Sequence, residues 1–213
     1  MTLGILGGMG PAASVDFARR LVEARDARRD QDHPRFVLDC DPSVPDRTEW
    51  LLRDGPQPLK ALVLMTARLI AAGCDQMVVA CNTAAVLTPS LRFLFPNVDW
   101  VDWVEIACQA VADGYPEVTL LATDGTVAHG LYQARLSELG VTCNLPSDQV
   151  RVMAAIRAVK AGRPATALDF LAGLDLTGPT LVACTELSLL GRGEVHDGVD
   201  AAQAVAEHLG GLP

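Results

Sequence analysis

Val78-Val79-Ala80-Cys81-Asn82-Thr83-Ala84 reads as an apolar strand that runs into a thiol and then at once into small polar residues. Half a chain later the phrase returns as Leu181-Val182-Ala183-Cys184-Thr185-Glu186-Leu187. A short unbroken apolar run bounded by turn residues fits a strand buried on both faces, as in a parallel sheet. The carboxyl end of such a strand is where α/β folds place their chemistry. Two such thiols, one from each half of a duplicated chain, imply two acid–base groups facing one another across a cleft.

The pattern extends outward from these phrases. Residues 3–6 form a first strand, Gly7-Gly8-Met9-Gly10-Pro11 turns the chain, and a helix follows to about Glu23, with Pro11 suited to its first turn. Strands are expected at 36–40, 77–81, 98–101, 117–122, 141–144 and 180–184. Helical periodicity covers 59–72, 83–94, 105–113, 129–139, 150–159, 165–171 and 201–209, and Thr123-Asp124-Gly125-Thr126 reads as a turn. Strands alternating with helices imply an α/β fold with parallel sheets and right-handed crossovers. Leu3–Gly10 (LGILGGMG) is paralleled by Val118–Gly125 (VTLLATDG), at a slightly different interval from the cysteine phrases, so the halves differ by a short deletion. The expectation is two similar lobes, residues 1–97 with 199–213 and residues 98–198. Crossings are expected near Pro96-Asn97 and 191–198, and the last helix packs back on the first lobe.

The chain has 213 residues, half of them hydrophobic and a fifth charged, enough for a substantial core. Its net charge of −9 disfavours nucleic acid and anionic membranes, which attract positive surfaces. An anionic small substrate remains open, because one local Arg or Lys outweighs a distant field at short range. The first residues lack a basic n-region and no apolar run reaches membrane-spanning length, so a cytoplasmic protein is expected. The six cysteines are then reduced thiols, and without C-x-x-C spacing no metal site is expected.

Each candidate residue has a plainer alternative. Gly7-Gly8-Met9-Gly10 lacks dinucleotide-binding spacing; it brings backbone N–H groups to a carboxylate at a helix start, or it is only a tight turn. A free cysteine is most often a small buried hydrophobe, which suits Cys40, Cys74, Cys108 and Cys143. Cys81 and Cys184 differ because each opens a helix, where a thiolate is favoured. Arg47 leaves a loop stiffened by Pro42 and Pro45, able to fork onto a carboxylate, or it is a surface residue paired with Asp46. Lys160 ends a helix, where the dipole favours a cation anyway. His33, His129, His196 and His208 share no ligand spacing.

Taken together, LGILGGMGP (Leu3–Pro11), DPSVPDRT (Asp41–Thr48), ACNTA (Ala80–Ala84), LLATDGT (Leu120–Thr126) and ACTELSLL (Ala183–Leu190) resemble the cofactor-independent aspartate/glutamate racemase family, its aspartate branch above all. The resemblance implies two lobes related by a pseudo-two-fold, no cofactor, and a homodimer. It implies that Cys81 and Cys184 trade the substrate's α-proton on opposite faces. Asn82, Thr83 and Thr185 would bind the α-carboxylate and amino group, with Met9, Gly10 and Thr123 around them. Arg47 and Lys160 would hold the distal carboxylate, and Glu186 would polarise its lobe's acid–base group. The family's aspartate branch usually has a histidine after C-N-T-A, where this chain has Ala85; the lost ring would weaken aspartate binding, enlarge the pocket, or be replaced by another side chain. Ala183 also stands where Gly is usual.

The chemistry agrees with the resemblance. Inverting a stereocentre through a carbanion needs a base on one face and an acid on the other. With no cofactor as electron sink, preorganised donors in a closed cleft must stabilise the carbanion. The competing expectations are an isomerase or decarboxylase acting on a maleate- or malonate-type dicarboxylate, and a dicarboxylate-binding homologue without turnover. A decarboxylase of this type needs one cysteine, and this chain keeps two.

Overall fold

The computed structural model describes residues 1–176, 178–191 and 198–211. In chain order the elements are β1 (Leu3–Gly7), α1 (Pro11–Glu23), β2 (Phe36–Cys40), α2 (Arg47–Arg53), α3 (Leu59–Ala71), β3 (Gln76–Val79), α4 (Thr88–Leu94) and β4 (Asp99–Trp100). The second half continues with α5 (Trp103–Ala112), β5 (Glu117–Ala122), α6 (Asp124–His129), α7 (Leu131–Glu138), β6 (Thr142–Asn144), α8 (Gln149–Lys160), α9 (Pro164–Leu171), β7 (Thr180–Ala183), α10 (Thr185–Ser188), β8 (Gly198–Asp200) and α11 (Ala201–Gly210).

Two four-stranded parallel sheets result, ordered β2-β1-β3-β4 and β6-β5-β7-β8. The order is the same in both, and the cysteine phrases supply the equivalent strands β3 and β7. Helices flank both sheets, so the α/β, two-lobed expectation holds.

The apolar side chains form three clusters. One lies under β3 and α3 (Leu62, Met65, Leu69, Met77, Val79) and reaches Cys81. Its counterpart lies under β7 and α8 (Val152, Ile156, Leu171, Val182) and reaches Cys184. The largest runs through both halves, joining Ile5, Phe17, Trp103, Leu120, Leu181 and Val205. Phe17 and Trp103 meet there with ring centroids 5.0 Å apart. Ala13, Phe17 and Leu21 recur every fourth residue of α1 as its buried stripe, from which the large side chains of Phe17 and Leu21 enter this core. Each such side chain contributes roughly 1.5–3 kcal/mol.

Several boundaries differ from the sequence expectation. Asp99–Trp100 was expected to open the second lobe, but β4 pairs with β3, supported by the Gln76 amide donating to Asp99 at 2.7 Å and Val101 N–H donating to Met77 at 2.9 Å. The first sheet therefore continues past residue 98. Residues 199–200 were expected in the first lobe, yet β8 pairs with β7. Asp200 then caps α11, which packs on α1 as well as on α5. Arg25 donates to the Gly210 carbonyl at 3.0 Å, and a Cβ at Gly210 would come within 2.8 Å of the Ala24 side chain. The crossing expected near 191–198 falls largely on residues outside the described set, as does His196.

Buried titratable groups give the fold a pH signature. Burial pushes the thiols of Cys108 and Cys143 up to about 12 and about 11, and pushes the Tyr132 phenol well above its usual value. An unfolded thiol ionises near ~8.5. Between that value and the folded one, the unfolded chain binds fewer protons than the folded chain, so stability falls as pH rises. The full contribution is present below about pH 8.5, and each thiol's share declines by about 1.4 kcal/mol per pH unit above it. Thermal melts are expected to show a falling midpoint between pH 8.5 and 10.5, with a shallower fall in Cys108→Ala. A midpoint that stays level across that range contradicts this.

Candidate active site

Both cysteines stand just past a buried strand, Cys184 one residue beyond β7 and Cys81 two beyond β3. Cys81 follows Ala80 at the end of β3, and its carbonyl accepts from Ala85 N–H at 3.1 Å, starting a short 3-10 turn. Cys184 is the N-cap of α10, and its carbonyl accepts from Ser188 N–H at 3.2 Å. The same residue-to-fourth-residue bond thus fixes each thiol at the head of a helical turn. The two thiols line one shared chamber at the interface of the halves.

Cys184 donates through Sγ to Glu186 Oε2 at 3.4 Å, and the Thr185 hydroxyl donates to the same oxygen at 3.4 Å. Burial pushes the Cys184 thiol well above its ordinary range. The Glu186 carboxylate pushes the same way, and the helix-start N–H groups and Lys160 do not offset the two. The helix-start thiolate expected from sequence is therefore a neutral thiol at this position. Glu186 is itself buried, and its Oε1 has no hydrogen-bond partner but faces Lys160 Nζ at 3.6 Å.

On the other side, Asn82 Oδ1 accepts from Trp103 Nε1 at 2.9 Å and from the Tyr132 hydroxyl. Two donors on one oxygen fix the amide's orientation and leave buried Nδ2 without a partner. Among the described residues that donor has no acceptor. Thr83 meets Thr123 and Thr126 in a ring of three hydroxyls, each pair 2.9–3.0 Å apart, which ties the two halves together. Close approach of α6 to α2 seals this edge, since a Cβ at Gly125 would lie 3.0 Å from Thr48 Oγ1.

Arg47 is not the loop or surface residue its sequence suggested. It opens α2 and is 8% exposed. Its guanidinium donates to the carbonyls of Pro45 at 2.9 Å, Met9 at 3.1 Å and Val44 at 3.2 Å, while Nε is buried without a partner. Among the described residues no carboxylate pairs with it. Asp46 instead caps α2, accepting from Thr48 and Glu49 N–H at 2.8 and 3.0 Å. Burial opposes ionisation of Asp46, but the Glu49 N–H, Arg47 and Lys160 together hold its carboxyl below the usual range. The Asp46-x-x-Glu49 spacing is the capping signature that the two prolines obscured.

The glycine turn is built for close approach. Gly8 has φ +89°, and a Cβ there would strike the Asp41 backbone at 2.4 Å. Ser14 Oγ accepts from Gly8 N–H at 2.8 Å and donates to the Gly10 carbonyl at 2.7 Å, so this N–H is not offered to a ligand.

The chamber measures about 20 Å³ and is lined by Cys81, Cys184, Met9, Arg47, Asn82, Thr83, Thr123, Lys160, Thr185 and Glu186, together with Asp46 and Thr48, which sequence reasoning missed. Gly10 edges instead an outer vestibule of about 380 Å³, which shares Met9, Asp46, Arg47, Lys160 and Glu186 with the chamber. Twenty cubic ångströms holds about one water, so the chamber in this form is smaller than an amino acid. Ala85 lines neither space. It lies in the central core and borders a separate groove of about 270 Å³. Tyr132, Trp103 and Thr126 were also missed, because their contacts to Asn82 and Thr83 cross 21 to 50 positions of sequence.

Removing the Tyr132 hydroxyl takes one of two donors from Asn82 Oδ1 and leaves the other. Tyr132→Phe is expected to lower stability by about 1 kcal/mol in urea denaturation. A loss above about 3 kcal/mol would mean that the Trp103 bond does not hold the amide alone.

Residues 6–202 match the family described as Asp/Glu/Hydantoin racemase. Among solved structures, the aspartate racemase of Picrophilus torridus is 30% identical, with a TM-score of 0.86 over 98% of this chain and 92% of that one. An aspartate racemase homologue from Pyrococcus horikoshii (18% identity, TM-score 0.69, covering 98% and 96%) shares the fold. So does the Thermus thermophilus glutamate racemase in complex with β-chloro-D-alanine (19% identity, TM-score 0.69, covering 98% and 78%).

Proposed function

Because the chain belongs to the Asp/Glu/Hydantoin racemase family, we propose that it interconverts the L and D forms of an acidic amino acid, aspartate first and glutamate next. Cys81 and Cys184 carry the proton, and no cofactor is used. The observation that carries this reading is the convergence of both thiols on one chamber, each at the head of a helical turn after equivalent strands.

Cys184 begins as the proton donor, held as a thiol by burial and by Glu186. The two-base reaction then assigns the role of base to Cys81. It takes the α-proton from one face and becomes a thiol, while Cys184 gives its proton to the opposite face and becomes a thiolate. The product leaves with inverted configuration, and the reverse reaction runs with the roles exchanged.

The carbanion's charge delocalises into the α-carboxylate, and the buried, unpartnered Asn82 Nδ2 supports a donor role there. Using the Thr83 hydroxyl as a further donor turns it out of its ring with Thr123 and Thr126. Arg47, a buried cation with an unpartnered N–H, suits the distal carboxylate, because a buried charge without a counter-charge is costly and an anionic ligand supplies one. Lys160, already facing Glu186, adds a second positive group at the vestibule side. Two cationic and two anionic side chains share the chamber wall, so selectivity for an anion rests on orientation rather than on net charge.

Two predictions follow from this mechanism. Cys81→Ala and Cys184→Ala are each expected to lower racemisation of aspartate at least about a thousandfold. Each single variant should still exchange the α-hydrogen of one enantiomer with deuterated solvent, and the double variant should exchange neither. Exchange by the double variant, read by mass shift, would refute thiol chemistry. Arg47→Met is expected to raise the KM for aspartate at least about tenfold while changing turnover of alanine little. Equal losses on both substrates would place Arg47 in the scaffold rather than at the distal carboxylate.

A further inference from the structure

On the side of Cys184 away from the chamber lies a polar cluster that the reaction above does not use. Arg20, on α1, donates from Nε to Asp16 at 2.6 Å and from one terminal nitrogen to Gln203 at 3.0 Å. The same nitrogen faces Asp200 Oδ2 at 3.3 Å. The other terminal nitrogen donates to the Ser188 carbonyl at 2.6 Å, on the last residue of α10. Asp200 completes the cluster. Its Oδ1 accepts from Ser188 Oγ at 2.8 Å and from Ala202 N–H at 2.9 Å. The side chain of Asp200 is 3% exposed and that of Arg20 is 11% exposed.

Three properties separate this cluster from ordinary surface pairing. It is desolvated, so each contact is worth more than an exposed ion pair. It joins α1, which belongs to the first sheet's half, to α10 and α11 at the end of the second sheet. Its anchor point is the four-residue helix whose N-cap is Cys184 and whose first two residues are Thr185 and Glu186. A helix that short has one internal turn and little stiffness of its own, so its position is set by what grips it.

The other end of α1 is the site itself. Gly10 is the N-cap of α1, Met9 lines the chamber, and Met9 O is bonded to Arg47. Arg20 lies ten residues further on, roughly 15 Å along the helix. One rigid helix therefore carries the first half's side of the site at its start and grips the Cys184 turn near its end.

We infer that Arg20, backed by Asp200 and Ser188, is a positioning residue that sets where the Cys184 sulfur stands relative to the substrate's α-carbon. This rests on the racemase reading above. Cys81 stands on a different turn, with no member of the cluster bonded to it. Loosening the clamp therefore displaces one acid–base group and leaves the other, and the defect is one-sided.

The test uses the full-length protein with each enantiomer of aspartate in deuterated buffer. It measures α-hydrogen exchange for each, together with kcat and KM for racemisation. Cys184→Ala identifies which enantiomer Cys184 deprotonates. Arg20→Met is expected to lower kcat about 30- to 100-fold, with KM within about threefold of wild type, the size of loss that a displacement of about 1 Å produces. Exchange from the enantiomer served by Cys184 should slow at least about tenfold more than exchange from the other. Arg20→Lys should recover part of kcat, since an ammonium can pair with Asp200 but cannot reach the Ser188 carbonyl as well. Ser188→Ala removes a single hydroxyl, tests the cluster even if Arg20→Met fails to fold, and should show the same one-sided bias at smaller size. Equal slowing of both enantiomers, or wild-type kinetics in Arg20→Met and Ser188→Ala, overturns the positioning role while leaving the racemase reading intact. A wild-type protein that exchanges neither enantiomer of aspartate or glutamate overturns that reading first, and this inference with it.

Discussion

The backbone bond from the fourth residue back to each cysteine carbonyl governs the rest of the structure. It makes each thiol the first residue of a turn that begins at the end of a buried strand. Each sulfur is then carried by its own half, and the packing of one half on the other brings both to one chamber. That packing is not a light contact. A single apolar cluster runs through both halves, and the threonine ring and the Arg20 cluster tie them at separate places. A cleft of this kind holds two thiols at one chamber at little further entropic cost, because folding has already restricted their freedom.

The same closure explains the electrostatics. A chain of net charge −9 is a poor attractor of anions at long range. Beyond about 8–10 Å, however, salt screens that field, while at 4 Å an ion pair near a protein surface is worth about 4 kcal/mol. Within the closed wall, the buried Arg47 Nε and Asn82 Nδ2 are donors left without protein partners. Buried unpaired donors are costly to keep, and a bound dicarboxylic amino acid offers an acceptor for each. Glu186 has a different place in this balance, facing Lys160 on one oxygen and Cys184 on the other. Together with burial, it favours the protonated form of the Cys184 thiol.

Much of the fold was legible in the sequence because the signals are local. Buried parallel strands announce themselves as apolar runs, and α1 and α3 show their stripes at helical spacing. The duplicated cysteine phrases located the central strands of both sheets. The misses have local causes too. Pro42 and Pro45 made the stretch before Arg47 look like a loop, although Asp46 and Glu49 spell a helix start. Gly125 suggested a turn where α6 runs, because only the close approach of Thr48 explains a glycine inside a helix. β4 and β8 have two and three residues, too few to show any period. Of the candidate site residues singled out in the sequence, all but Gly10, which edges the outer vestibule, line one chamber. What the sequence concealed was how they are held. Asn82 is oriented by Trp103 and Tyr132, Thr83 is bound into a ring across the halves, and Cys184 is gripped from α1. Each of these contacts joins segments far apart in the chain. Ala85 shows the reverse error, since a substitution beside a site motif in sequence lies against the central core in space.

The central claim is that the two sulfurs flank one carbon. The most direct measurement is a crystal structure of the protein with aspartate bound, read for the distance and direction from each Sγ to the α-carbon. The account predicts Cys81 and Cys184 on opposite faces of that carbon, each within roughly 3–4 Å of it, with the distal carboxylate at Arg47. Both sulfurs on one face, or an α-carbon that only one of them reaches, would contradict it.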